Sequence, residues 1–291
     1  MRLLVSVTGP AEVRAAIEGG ADIIDAKDAS RGALGAVTAS VMRDIVAAVG
    51  GDRPVSVALG DVGDAQFDDL GLGAAGNADF EALLRGDSGA RDADVGAADS
   101  SVTRLGAGSP SRGVSFVKLG FAAGVDGRRA AACVRSVVAG LAGTGTSVVL
   151  AAYADAGSDR LGRTRVVEIA ARCEVAGVLL DTLDKQRSQT LFTLLGPVAV
   201  ADWVVSAHQA GLTVALAGSL GVSEIAVARD IGADVVGVRG AACEGGRLGR
   251  VSVERVRDLA AQMAVSPSES LRSPALQRSP RPTPGSESAR V

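Results

Sequence analysis

Thirty residues of this chain carry a basic side chain, and only three of them, Lys27, Lys118 and Lys185, are lysine; the other twenty-seven are arginine. Arginine serves almost anywhere a solvated positive charge is wanted, but it is not deprotonated in a protein. A lysine, with an ordinary pKa of about 10.4, is brought toward neutrality by desolvation or by a neighbouring cation. Only the neutral amine attacks a carbonyl carbon. Lysines kept against so strong a bias point to amine chemistry on a carbonyl substrate.

Their surroundings support that reading. Lys27 closes the run "DIIDAK", Lys118 lies in "SFVKLG" and Lys185 ends "LLDTLDK". Asp25 shares strand parity with Lys27, so both side chains leave the strand on one face. Asp181 precedes Lys185 by four residues at another strand exit. Asp61 in "ALGD" and Asp155 in "AAYADA" end two further runs, each either as part of a site or as a helix N-cap. Other chemistries have little to work with. The single histidine, His208, sits in "VVSAHQAGL" among apolar helix neighbours, where packing or a surface role is expected. Cys133, Cys173 and Cys243 are far apart in no ligand spacing, so neither a metal site nor a Cys/His nucleophile pair is expected.

Elements that would position these residues recur along the chain. Eight short β-branched runs, "RLLVSV", "ADIIDAK", "PVSVALGD", "VSFVKLG", "SVVLAAYADA", "AGVLLDT", "LTVALAGS" and "ADVVGVRGA", are apolar throughout rather than alternating. That pattern marks strands buried on both faces, as in a parallel sheet covered by helices. Helical spacing is predicted at about residues 10–19, 38–49, 64–76, 126–142, 162–173, 189–211, 222–231 and 251–264. Eight β/α units predict an α/β fold of the TIM (β/α)8 barrel type over residues 1–265. A doubly wound open sheet is the alternative, but no GxGxxG follows the first strand. In a barrel all three lysines fall on the C-terminal face, where such folds keep their sites.

Two segments break the rhythm. Residues 77–112 are rich in Gly, Asp and Ser and are expected to be a flexible insertion between strands three and four. Residues 266–291 combine Pro, Ser and Arg with few core-forming side chains, so a disordered tail is expected. The seventh strand closes with "ALAGS" and the eighth with "GVRGAACEGGRLGR". Loops in those two places commonly cradle a phosphate, which makes Gly218, Ser219, Arg239 and Gly240 candidates for that role. Glycine lets the backbone approach an anion, and a guanidinium can grip it with two parallel hydrogen bonds.

Composition narrows the partners. With 47% apolar residues and a formal charge of −3, the chain has material for a large core and lacks the basic footprint of a nucleic-acid binder. No signal-peptide core opens it and no run of eighteen apolar residues follows, so no membrane partner and a cytoplasmic location are expected. Association into a homo-oligomer is also expected.

Taken in order, "GADIIDAK…GALGA", "VALGDV", "FVKLGFAAG", "AAYADA", "LLDTLDK", "ALAGSL" and "IGADVVGVRGAAC…GGR" strongly resemble the (5-formylfuran-3-yl)methyl phosphate synthases, which act in methanofuran biosynthesis. The likeness runs through nearly every β/α unit from residue 1 to about 262; its fifth-strand motif usually reads "GYADA", where this chain has Ala152. The resemblance implies a metal-free and cofactor-free TIM barrel, a lyase of class I aldolase type. Such an enzyme condenses two glyceraldehyde 3-phosphate molecules into a furan aldehyde bearing one phosphate, with loss of phosphate and two waters. It implies that Lys27 forms the Schiff base, that Lys118 accepts a proton, and that Asp25, Asp181 and Lys185 complete the site. Another Schiff-base aldolase acting on a different small sugar phosphate, or a non-catalytic phosphosugar-binding barrel, stays open beside it.

Overall fold

A computed structural model describes residues 1–65, 67, 113–187 and 189–264; the candidate insertion at 77–112, the tail at 266–291 and most of the helix predicted at 64–76 lie outside the described residues. Eight parallel strands close into a barrel in sequence order. They are β1 (Arg2–Val7), β2 (Ile23–Ala26), β3 (Val55–Val62), β4 (Val114–Phe121), β5 (Ser147–Tyr153), β6 (Gly177–Asp181), β7 (Thr213–Leu216) and β8 (Val235–Val238). Pairing of Arg2 with Val235 through to Val5 with Val238 seals the barrel between its first and last strands. The open-sheet alternative is thereby excluded.

Seven α-helices cover the strands among the described residues: α1 (Val13–Gly19), α2 (Ala39–Val49), α3 (Gly127–Gly140), α4 (Arg163–Arg172), α5 (Leu191–Gln209), α6 (Val222–Asp230) and α7 (Val253–Ala264). Their bounds follow from local chemistry. Thr38 caps α2 by accepting from the Val41 N–H, and Asp126 caps α3 by accepting from the Arg128 and Arg129 N–H groups. Those two N–H bonds hold the Asp126 carboxyl below its ordinary pKa. Helix α5 is apolar enough in length and composition to cross a membrane, but here Leu191, Val200, Trp203, Val204 and Ala207 are buried, and the Trp203 indole donates to the Arg163 carbonyl at the start of α4. Gly196, at φ 75°, and Pro197 break it into two segments, a kink that the predicted continuous helix over 189–211 does not contain. A further hairpin, β9 (Cys243–Glu244) with β10 (Arg250–Val251), follows β8 and is also unanticipated.

The apolar core forms two shells. Strand residues such as Leu3, Ile24, Leu59, Leu119, Leu150 and Leu180 face the helices in one large cluster. Ile23, Phe116, Val149, Leu179, Ala215 and Val235, with Leu4 against them, fill the barrel interior. Each fully buried aliphatic side chain of this size contributes about 1.5–3 kcal/mol. Above the interior layer, toward the C-terminal ends of the strands, the inward positions change to Ser6, Asp25, Lys27, Ser56, Lys118 and Asp181, all buried. Burying that much charge works against folding, so what those groups touch matters.

Candidate active site

The three lysines meet. They line, with Asp25 and Asp181, a cavity of about 300 Å³ at the C-terminal mouth of the barrel. Asp25 on β2 sits in register with Ser6 on β1 and Ser56 on β3, and Ser6 Oγ donates to Asp25 Oδ2 at 2.8 Å. Lys118 on β4 is two strands away, with only Ser56 and Ala58 of β3 facing inward between them. Those small side chains leave the passage through which Lys118 Nζ reaches Asp25 Oδ1, at 2.6 Å. On the other side Lys185 Nζ lies 2.5 Å from Asp181 Oδ1 and 3.0 Å from Thr182 Oγ1. Asp181 also accepts from the Thr182 N–H at 2.7 Å. Burial opposes its ionisation, yet Lys185 and Lys27 together hold its carboxyl below the usual carboxylate range.

Lys27 differs from its neighbours. It is 7% exposed, and among the described residues its Nζ has no carboxylate within ion-pair distance. Burial lowers its pKa from 10.5 to about 7; Lys118 and Lys185 push in the same direction, while Asp181 and Asp25 oppose them. Two Lys–Asp pairs thus flank a third lysine that burial shifts toward the neutral amine. That is the protonation state a Schiff-base nucleophile needs.

The phosphate candidates divide. Gly218, Ser219, Gly240 and Arg239 all border the cavity. Gly218, at φ 108°, has no room for a side chain, because a Cβ there would come within 2.8 Å of Thr182 Cγ2. Ser219 is held at φ 55°, a left-handed conformation uncommon for a residue with a side chain. Arg239 is a different matter. Its five guanidinium N–H groups are spent on the carbonyls of Ser6, Arg247 and Gly249 and on both oxygens of Glu12. The two-pronged grip on an anion expected of Arg239 is therefore already given to Glu12, and residue 239 can serve an anion only through its backbone.

Asp155 is not a helix cap, since Gly162 holds the N-cap position of α4; most of the helix predicted after Asp61 lies outside the described residues. Asp155 accepts from the Leu183 and Asp184 N–H groups at 2.6 and 2.9 Å, bracing the loop that carries Lys185. Asp61 points into the mouth because an irregularity between Ala58 and Asp61, with Gly60 at φ 90°, shifts the β3–β4 register. There it accepts from the Tyr153 hydroxyl and, at 3.1 Å, from Arg160 Nη1. Burial outweighs these bonds and raises the Asp61 pKa, and burial with Asp61 beside it raises Tyr153 well above its ordinary value. His208 has a surface role, 2.8 Å from Asp234 Oδ2. Sequence reasoning missed Tyr153, Arg160 and Arg247. The first sits inside the quoted "AAYADA", and only its alternation with Ala151 hinted that it faces inward. Among the described residues no three His, Cys, Asp or Glu side chains gather as a metal would require.

Known proteins bear on this geometry. Solved barrels share the fold: phosphoribosyl anthranilate isomerase from Thermus thermophilus superposes with a TM-score of 0.54 at 16% identity, covering 94% of this chain and 100% of the other. A 3-hexulose-6-phosphate synthase gives 0.53 at 16% identity, covering 90% and 99%. Sequence relatives are nearer. The (5-formylfuran-3-yl)methyl phosphate synthase of Methanopyrus kandleri is 36% identical over 270 residues, 90% of this chain and 99% of that protein. That of Methanocaldococcus jannaschii is 34% identical over 268 residues, 89% and 98%. A protein of Streptomyces griseus named as a putative member is 32% identical over 272 residues, 90% and 94%. The model of the 4-HFC-P synthase family matches residues 3–83 and 92–260, spanning all eight strands and leaving only 84–91 of the internal segment unmatched. With the family model and these relatives in agreement, the chain belongs to the 4-HFC-P synthase family.

Proposed function

We propose that this protein joins two molecules of glyceraldehyde 3-phosphate into (5-formylfuran-3-yl)methyl phosphate through a Schiff base on Lys27. The observation that carries the reading is Lys27 itself: a buried amine with a pKa of about 7, at the wall of a cavity and between two Lys–Asp pairs. Family membership supplies the product, since the relatives bear that synthase name.

In this reading neutral Lys27 adds to the carbonyl of one triose, and loss of water leaves an iminium. The iminium draws electrons from the adjacent carbon, and the Lys118–Asp25 pair takes the proton that departs. The resulting enamine carbon bonds to the aldehyde carbon of the second triose. Lys185 and Asp181, on the opposite wall, hold and return protons as hydroxyl and phosphate groups leave and the ring closes. An oxygen of the second triose adds to the iminium carbon to close the ring, and Lys27 leaves as the free amine. Two trioses thereby become one furan aldehyde monophosphate, one phosphate and two waters, with no change of oxidation state and no outside co-reactant. Buried Lys–Asp pairs suit such steps because each proton moves within a hydrogen-bonded unit shielded from bulk water.

Incubation with glyceraldehyde 3-phosphate tests this directly. Mass spectrometry should find the furan product, and borohydride should leave a reduced triose adduct on Lys27 that is lost in Lys27→Arg. An adduct with no furan would assign the site to a different aldol reaction. Absence of both would overturn the reading.

A further inference from the structure

With Arg239 spent on Glu12 and three carbonyls, the cavity still contains a second guanidinium. Arg247 lines it, from the loop between β9 and β10. The loop folds back over the phosphate-loop candidates. Gly245 and Gly246 turn it with φ of 80° and 76°, and a Cβ on Gly240 would lie 3.6 Å from the Arg247 backbone nitrogen. Arg239 is what holds it there, donating through Nε to the Arg247 carbonyl at 3.0 Å and through Nη2 to the Gly249 carbonyl at 2.7 Å.

From that anchored position Arg247 reaches across the mouth to the loop that follows Lys27. Its Nε donates to the Ala29 carbonyl at 3.2 Å and its Nη2 to the Gly32 carbonyl at 2.7 Å. Both partners are neutral, so the charge is not cancelled by a direct ion pair, and among the described residues Nη1 has no hydrogen bond. Burial lowers its pKa from the ordinary value, and Asp181, itself paired with Lys185, acts in the opposite direction. A fixed, half-buried guanidinium with one unspent edge, beside glycine backbone and a left-handed serine, is the arrangement that receives a phosphate monoester.

We propose that Arg247, positioned by Arg239, is the side chain that binds a substrate phosphate, with Gly218, Ser219 and Gly240 supplying backbone around it. The proposal rests on the sugar-phosphate reading above and names the group that recognises the phosphate. It also gives Arg239 and Glu12 a purpose: they are the mount, and Arg247 is the contact. Because Arg247 ties the hairpin after β8 to the loop after Lys27, phosphate binding and the Schiff-base strand share one strap.

Calorimetric titration of the full chain with inorganic phosphate tests it. The wild type should bind, Arg247→Met should weaken binding by about tenfold or more, and Arg247→Lys should recover part of the loss. The second measurement is borohydride trapping on Lys27 with glyceraldehyde 3-phosphate and with glyceraldehyde, at concentrations below saturation. Arg247→Met should slow trapping of the phosphorylated aldehyde by a factor about tenfold greater than it slows the unphosphorylated one. A wild type that takes up no phosphate, an Arg247→Met chain that binds it unchanged, or an equal penalty on both aldehydes would overturn the proposal, the last leaving Arg247 as a loop strap only. Phosphate binding is read without any furan, so a failed synthase reading and a failed Arg247 assignment give different results.

Discussion

Two polar clusters share the mouth of the barrel, and they are built to opposite ends. After β2, on β4 and after β6 the cations are lysines: Lys118 and Lys185 each hold one aspartate, and Lys27 is left between them with its pKa lowered to about 7. Beside β3 and β5 the cation is Arg160, from the loop after β5, which donates to Asp61 and to the Phe121 carbonyl and lies 5.8 Å from the centre of the Tyr153 ring, while Tyr153 donates to the same Asp61. Space on β4 was cleared for that second cluster, since a Cβ on Gly120 would come within 1.8 Å of Asp61 Oδ1. In the lysine cluster burial lowers the Lys27 pKa to about 7, so its proton is loosely held. The arginine cluster fixes its protons and ties three strands together. In the proposed function the difference separates two uses of a cation at the barrel mouth: the lysine cluster carries the chemistry, and the Arg160 cluster is framework.

The largest effect that would sharpen the contrast is on Lys27. Lys27→Arg should reduce furan formation to background while the chain stays folded, as measured by product mass spectrometry and circular dichroism. Next in size, Lys118→Met should cost about 10²–10⁴-fold in turnover through loss of the proton acceptor. It should also destabilise the chain, because Asp25, fully buried, loses its cation; a missing partner of this kind costs about 3–5 kcal/mol. Thermal unfolding and kinetics on one sample would check both.

A pH series separates the clusters without mutation. The rate of borohydride trapping should rise from pH 6 to 8 with a midpoint near the Lys27 pKa of about 7, because the fraction of neutral amine rises with pH. The same shift carries a stability cost. Lys27 binds its proton more weakly in the folded chain than in the unfolded one, where its pKa is about 10.5, so as pH falls from about 10.5 to about 7 the unfolded chain is protonated first and folding loses stability. Lys27→Met should therefore raise the melting temperature more at pH 6 than at pH 10. An equal change at both would contradict the depressed pKa.

Smaller effects belong to the arginine cluster. Gly120→Ala should destabilise by about 1–3 kcal/mol through overpacking against Asp61, and Tyr153→Phe by about 1–3 kcal/mol through the lost hydrogen bond to a buried carboxylate. Both should leave the pH midpoint of Lys27 trapping in place. A Tyr153→Phe chain of normal melting temperature and a displaced midpoint would break the comparison and place Tyr153 in the chemistry.

Some of this was readable from the residues alone. Strand and helix spacing specified eight β/α units because a strand buried on both faces has to be apolar throughout, and a helix on a barrel has to be apolar on one side. Scarcity singled out Lys27, Lys118 and Lys185, and parity tied Asp25 to Lys27, because both signals are local in sequence. Pairings between residues far apart in the chain were not local. That Lys118 takes Asp25, leaving Lys27 without a carboxylate, depends on the register of β2, β3 and β4 and on the small side chains Ser56 and Ala58 between them. The kink at Gly196–Pro197 was overlooked, although both residues were in plain view. Arg239 illustrates the limit most sharply. Its place after β8 was legible, but the contacts that consume its guanidinium come from Glu12 and Ser6, more than two hundred residues earlier, and from a hairpin whose fold no periodicity announced. Residue type and spacing determined which groups are present at the mouth; closure of the barrel decided which of them are already spent and which are free to act, because a hydrogen bond goes to whatever the fold brings within three ångströms.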